Sequence, residues 1–386
     1  MNPNHFEVKI LAEHPTNKAR VLKIDTPHGS FTTPAFMPVG TRAAVNTMTV
    51  QDLHQAKADI ILGGNTYHML VSPGMEIIQN AGGMHKFMAW DGAMLIDSGG
   101  FQVFSLSRNN KLCKIKEDGA HFKHPDSGAK ILLSPETSIE TQKILGADIV
   151  MAFDECTPDT ADKDYVVRAM KRTHRWLLQS LNYHKEQPQS KYGFHQAFFG
   201  IAQGAFFEDL RLESTQFVVE MDTDGIAIGG GTVGYDMEKT VEIMKWLEPI
   251  LPKQKPRYTM GVGAHPNDLL QVVEQGVDMF DCVAPTRNAR HGSLYSGKIV
   301  RKNGWIAFES EYPQGKINLN NAQFTKDNRP VMEDCPCFTC RNHSRSYLRF
   351  LLKSDAVLYN NLASMHNVQV MLDICKAMQA CMLELL

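Results

Sequence analysis

The chain has 386 residues, 43% hydrophobic and 21% charged, which is ordinary globular usage and enough for one large core. It opens with MNPNHFEVKI, without the apolar run of a secretion leader, and nowhere offers the roughly 18 apolar residues of a membrane span, so a cytoplasmic protein is expected. A formal net charge of −2 gives no global basic signature for nucleic acid, and any such role must rest on local patches.

Residues 6–33 alternate in strand fashion around HPTNKAR, which predicts an N-terminal β hairpin over 1–33. Eight short apolar runs follow: PAFMPVG (34–40), DIILGGN (59–65), AMLIDSGG (93–100), ADIVMAFDE (147–155), FFGIAQG (198–204), DGIAIGG (224–230), RYTMGVG (257–263) and DMFDCVAP (278–285). Unbroken apolar character without alternation marks strands buried on both faces, as in parallel sheets. Helical signals lie between most of them. SPETSIETQKILG (134–146) has Ser134 as N-cap, Pro135 in the first turn and Gly146 as its stop, and TVQDLHQAKA (49–58) and HPNDLLQVVEQG (265–276) read similarly.

Strands alternating with helices predict an α/β fold, a (β/α)8 TIM barrel over 34–285, with an open doubly wound sheet as the alternative. In a barrel the strand-end residues Asn65, Asp97, Asp154, Gln203, Gly230 and Asp281 would face one mouth. An insertion, 101–133, follows the third strand, and LCKIKEDGAHFKH within it reads as another hairpin. Residues 286–366 leave the repeat, and 367–386 read as an apolar-rich C-terminal helix whose expected use is core packing.

CPCFTC places Cys335, Cys337 and Cys340 within six residues, and His343 and His366 are alternative fourth ligands. Three thiolates and an imidazole suit one tetrahedral Zn2+ with no open position, hence a structural ion. Cys113, Cys156, Cys282, Cys375 and Cys381 sit in mostly apolar contexts and read as core. Charge is concentrated past the eighth strand. Residues 286–302 carry Arg287, Arg290, Lys298, Arg301 and Lys302, and 341–353 carry Arg341, Arg345, Arg349 and Lys353, with no acid in either stretch. Phosphate contacts there would bring affinity and salt dependence.

Taken in order, DSGGFQVFSL (97–106), MAFDECTP (151–158), IAQG (201–204), GVDMFDCVAPTRNARHG (276–292) and the C-x-C-x2-C-x25-H set resemble the bacterial tRNA-guanine transglycosylases over nearly the whole chain. The resemblance implies a barrel with a zinc subdomain, over 286–366, that contacts tRNA, and it makes His366 the fourth ligand. It implies exchange of guanine at the wobble position, in the anticodon loop, for a 7-deazaguanine base, preQ1 or queuine, on the route to queuosine. It also implies a homodimer.

The chemistry fits those residues. Breaking and remaking an N-glycosidic bond without phosphate activation calls for a carboxylate that holds C1′ covalently while one base leaves and another enters. By the resemblance Asp281 is that nucleophile, and Asp97 donates and later accepts the proton of the base. Asp154 would face N1–H and the amine of guanine, and Gln203 and the Gly230 N–H would face O6. Ser98, Gly99, Gly100 and Phe101 would shape the pocket floor, and the base would stack on Phe101, a tyrosine or Met260, with ordinary core packing as the alternative use of Met260. The target nucleotide must leave the anticodon stack to get there. Gly261, Val262, Gly263, Ala264, His265, Pro266 and Asn267, with Thr286, Arg287, Asn288, Ala289 and Arg290, would contact the RNA.

One stretch departs from the family. In GGGTVGY (229–235), Gly231 stands in place of an aliphatic residue and Tyr235 in place of a glutamate, which predicts a larger pocket and a bulkier base such as queuine. Two other readings stay open: a non-catalytic tRNA-binding partner subunit, and a small-molecule barrel hydrolase.

Overall fold

The computed structural model describes residues 5–107, 113–231 and 233–385. Residues 108–112 of the insertion, Thr232 of the glycine-rich stretch and both chain ends of the expected 1–33 and 367–386 segments fall partly outside them.

Strands β1 (Glu7–Glu13), β2 (Arg20–Thr26) and β3 (Gly29–Thr32) form an antiparallel sheet. The expected hairpin therefore has a third strand, because the chain turns back at Pro27 and His28 and pairs Thr26 with Gly29. Next come β4 (Ala35–Pro38), β5 (Ile60–Asn65) and β6 (Ala93–Asp97). The insertion opens with helix Gly100–Ser107 and continues as β7 (Cys113–Lys116), β8 (Gly119–Lys123) and β9 (Lys130–Leu133), again three antiparallel strands where a hairpin was expected.

The remaining barrel strands are β10 (Ile149–Met151), β11 (Ala197–Ala202), β12 (Gly225–Ile228), β13 (Arg257–Thr259) and β14 (Met279–Cys282). All eight predicted runs are strands of one parallel sheet, ordered β4-β14-β13-β12-β11-β10-β6-β5. A parallel bridge from Val39 to Leu62 joins β4 to β5 and closes the ring. The architecture is the (β/α)8 barrel, and the open sheet is ruled out.

Successive side chains of each strand face opposite sides. Met37, Leu62, Leu95, Met151, Phe199, Ala227 and Met279 pack inside the barrel, while Phe36, Ile61, Ile96, Val150, Phe198, Ile226 and Phe280 pack outward under the helices. Leu22, Ile24 and Phe31 of the N-terminal sheet join the inner cluster. That sheet is pinned to the residues preceding two barrel strands by the ion pair of Arg20 with Asp278 at 2.6 Å and the hydrogen bond between His28 Nδ1 and Asp148 at 2.8 Å. It plugs the N-terminal end of the barrel, so the C-terminal end is the open one.

Past β14 come helix Ala284–Arg290, β15 (Ser293–Tyr295), β16 (Lys298–Lys302), β17 (Trp305–Glu309) and β18 (Lys316–Asn318). Helices Phe338–Asn342 and Arg345–Lys353 follow. The last helix runs unbroken over Val357–Leu383, ten residues earlier than the expected start at 367, and most of its side chains are buried. No described helix is long and apolar enough to cross a membrane.

Candidate active site and metal centre

Register brings the first site residues together. Asn65 and Asp97 are paired across β5 and β6. Asn65 is also the N-cap of helix Thr66–Val71, its Oδ1 accepting from His68 N–H, so its Nδ2 must face the other way. That nitrogen donates to both Asp97 oxygens, at 2.7 and 2.6 Å, and Gly99 N–H adds a third bond at 3.0 Å. These bonds favour the carboxylate, but desolvation outweighs them and pushes Asp97 up to about 7, with the like charge of Asp281 adding to the rise.

Asp281 sits at the end of β14, half-buried like Asp97. It accepts from the Tyr258 hydroxyl at 2.6 Å and from Gly261 N–H at 3.3 Å. Burial raises its pKa, and the Tyr258 bond opposes that rise.

Asp154 lies deeper. Its oxygens accept from Ser98 Oγ at 3.1 Å and Gln203 Nε2 at 2.7 Å, and burial lifts it to about 6. Gly100 covers it so closely that a Cβ there would stand 2.1 Å from Asp154 Oδ1. Phe101 is 44% exposed, with its ring centroid 5.9 Å from that of Phe104, and Met260 is half-buried against the inner barrel cluster.

The expected enlargement at Gly231 does not appear. A Cβ at that position would meet the Thr157 carbonyl oxygen at 2.8 Å and Pro158 Cα at 3.3 Å, so the loop after β10 occupies the space an aliphatic side chain would take. Tyr235 is 75% exposed.

Sulfur and nitrogen converge in the C-terminal subdomain. His366 Nδ1 stands 3.6 Å from Cys335 Sγ, 3.7 Å from Cys337 Sγ and 3.2 Å from Cys340 Sγ, all four residues buried. His366 Nε2 donates to the Tyr295 carbonyl at 2.7 Å, which leaves Nδ1 as the free ligand atom. The group can hold a metal ion. His343, the alternative ligand, instead stacks on Tyr347 with ring centroids 4.9 Å apart.

A family model described as queuine tRNA-ribosyltransferase matches residues 15–384. The chain belongs to this family. Among its members, the queuine tRNA-ribosyltransferase of Bacillus subtilis strain 168 is 44% identical over 95% of this chain and 89% of its own length. That of Staphylococcus aureus strain N315 is 47% identical over 92% of this chain and 86% of its own length.

For the family's expected RNA surface, the structure separates exposed side chains from buried ones. Arg287 and Asn267 are exposed and Asn288, Arg290, Ala264 and His265 are half-buried, whereas Val262, Pro266, Thr286 and Ala289 are buried and act as support. The basic stretches are also less free than their composition suggests. Arg345 is buried and bonded to Asp327 and to the Pro330 and Val331 carbonyls, Arg301 pairs with Glu384, and Lys302 pairs with Glu309. Neither Tyr258, which bonds Asp281, nor the buried Arg211 stands out in the sequence. Tyr258 reads in sequence as one more aromatic in a buried strand, and Arg211 as a solvated charge on an amphipathic helix.

Proposed function

We propose that this protein exchanges guanine at the wobble position of tRNA for a 7-deazaguanine base, preQ1 or queuine, by double displacement. The observation that carries it is the pair of half-buried strand-end carboxylates, Asp97 and Asp281, close enough that one raises the pKa of the other, beside a third at the pocket floor. An Asp281 oxygen attacks C1′ of the ribose and the C1′–N9 bond breaks. Its electron pair passes into the purine, which takes the proton held by Asp97. The incoming base then gives its N9 proton to Asp97, attacks C1′ and releases Asp281, so two inversions give net retention.

Each carboxylate has an environment suited to its part. Asp97, at about 7, can hold and release a proton at neutral pH. Asp281 is kept available as an anion by two donors, Tyr258 and Gly261. Asp154 faces N1–H and the amine of guanine, oriented by Ser98 and Gln203. Arg287, Asn288 and Arg290 hold the anticodon loop beside the mouth.

The metal is one structural Zn2+. Bonds of about 2.3 Å to sulfur and about 2.0 Å to nitrogen set tetrahedral S···N edges of roughly 3.5 Å, which suits the separations at His366. With four protein ligands it has no open position and takes no part in the chemistry. The enzyme works in the cytoplasm as a homodimer, a reading supported by the exposed aromatic side chains of Phe338, Tyr347 and Phe350 on the helices of the metal subdomain.

Incubating enzyme with a tRNA anticodon stem-loop in the absence of incoming base tests the mechanism. A covalent RNA adduct is expected from the native chain and none from Asp281→Asn, while Asp97→Asn should lose exchange of labelled guanine. A native-speed exchange by Asp281→Asn would end this reading, and absence of any exchange by the native chain would favour a non-catalytic tRNA-binding subunit.

A further inference from the structure

Arg211 is a charge the fold should avoid. It lies in the first turn of helix Glu208–Glu220, where a cation opposes the helix dipole, and its side chain is fully buried. No carboxylate pairs with it among the described residues. Burial without a counter-ion lowers its pKa to about 10. A buried arginine lacking a carboxylate is a large local expense in stability, and such exceptions collect at functional sites.

What it holds is the frame of the base pocket. Its Nε donates to the Ala205 carbonyl at 2.7 Å, and its Nη1 to the carbonyls of Gly229 at 2.7 Å and Ala202 at 3.4 Å. Ala202 and Ala205 flank Gln203, and Gly229 immediately precedes Gly230. The third nitrogen, Nη2, is buried without a partner, beside Gly230, where a Cβ would meet it at 2.7 Å. Gln203 Oε1, also unpartnered, borders the same spot at 3.4 Å.

The Gly229 carbonyl and the Gly230 N–H belong to one planar trans peptide and point in opposite directions. A guanidinium that fixes the carbonyl on one side therefore fixes the N–H on the other. We propose that Arg211 is a positioning residue for base recognition: by gripping the Gly229 carbonyl it aims the Gly230 N–H at O6 of the purine and sets an unneutralised positive charge behind that donor. This rests on the functional reading above. As the C1′–N9 bond breaks, the electron pair entering the purine spreads toward O6, so a preset donor backed by positive charge acts more strongly on the departing base than on the intact nucleotide.

Arg211→Met keeps a long apolar stem and removes the grip, and Arg211→Lys keeps the charge but loses the planar fork whose separate nitrogens reach the Ala205 and Gly229 carbonyls. Both are compared with the native chain for inhibition constants of guanine and 6-thioguanine, which differ only in the acceptor at position 6. The native enzyme should prefer guanine by roughly tenfold, the scale of one hydrogen bond. In Arg211→Met the preference should fall to about twofold or less and kcat should drop, with KM for tRNA unchanged; Arg211→Lys should fall between. A retained tenfold preference in either folded variant, or an equal loss for both bases, would overturn the proposal in favour of a purely structural arginine. Should Arg211→Met not fold, the Lys variant decides by the same ratio. A native enzyme that exchanges guanine into tRNA yet does not discriminate the two bases would also overturn it; one that exchanges no guanine would take down the functional reading first.

Discussion

Asp97→Asn should raise stability at alkaline pH while abolishing exchange. Asp97 has its pKa raised from 3.8 to about 7, chiefly by desolvation, so the folded state binds its proton more tightly than the unfolded chain does. The penalty for ionising it in the fold is absent below about pH 4, grows as pH rises, and is complete above about pH 7. Three units correspond to about 4 kcal/mol at pH 8 and between 1 and 2, roughly, at pH 5. The asparagine amide faces Asn65 Nδ2 with one acceptor in place of two, which gives back about 1–2 kcal/mol. The net expectation is near zero at pH 5 and about 2–3 kcal/mol of added stability at pH 8, a rise of about 3 °C in Tm for a chain of this size. Thermal melts of native and variant chains at the two pH values read this directly. An offset that is the same at both would show that Asp97 ionises as an ordinary carboxylate, and the proton-shuttle assignment would lose its physical basis.

Removing the Tyr258 hydroxyl takes away the bond that opposes the burial-driven rise of the Asp281 pKa, so Tyr258→Phe should move the acid limb of the pH–rate profile upward, with alkaline rates less affected. Gly100→Ala should weaken guanine binding at least tenfold, by roughly the cost of one charge-assisted hydrogen bond, because its Cβ displaces Asp154; tRNA binding by filter assay should persist. Arg20→Ala leaves the buried Asp278 without its cation and should cost about 3–5 kcal/mol in denaturant unfolding. Cys340→Ser, or prolonged chelation, should release one equivalent of metal and lower tRNA affinity, read by metal analysis and filter binding.

The barrel was legible because strands buried on both faces leave unbroken apolar runs, and all eight are in the sheet. Asp97, Asp154 and Asp281 stood out for a related reason: each carboxylate closes an apolar run, although a helix cap or an ion pair with a neighbouring arginine is the alternative use for Asp97 and Asp281. What sequence pattern missed depends on neighbours distant along the chain. Nothing local in GGGTVGY reveals that the Thr157–Asp159 loop fills the space beside Gly231. Nor does EDLRLES reveal that Arg211 turns inward to carbonyls just beyond the ends of two strands. The third strands of the two small sheets were lost because TPHG and the residues near 130 are too short to show alternation. The basic stretches overstated free charge, since composition does not show that Arg345 has its partners inside the fold.

His366 and Asn367 lie side by side on the last helix, and both reach the backbone just beyond the Asp281 strand. His366 bonds the Tyr295 carbonyl, Asn367 bonds Tyr295 N–H and the Pro285 and Ser293 carbonyls, and Tyr359 on the same helix bonds the Ala289 carbonyl. During synthesis the ring of strands can close before this helix leaves the ribosome. Until then the segment that follows Asp281 is held only by such bonds as Tyr295 hydroxyl to the Ala264 carbonyl and the pairing of β15 with β18. A nascent chain stalled before residue 357 would carry all eight barrel strands while the segment beyond Asp281 still lacked its bonds to this helix.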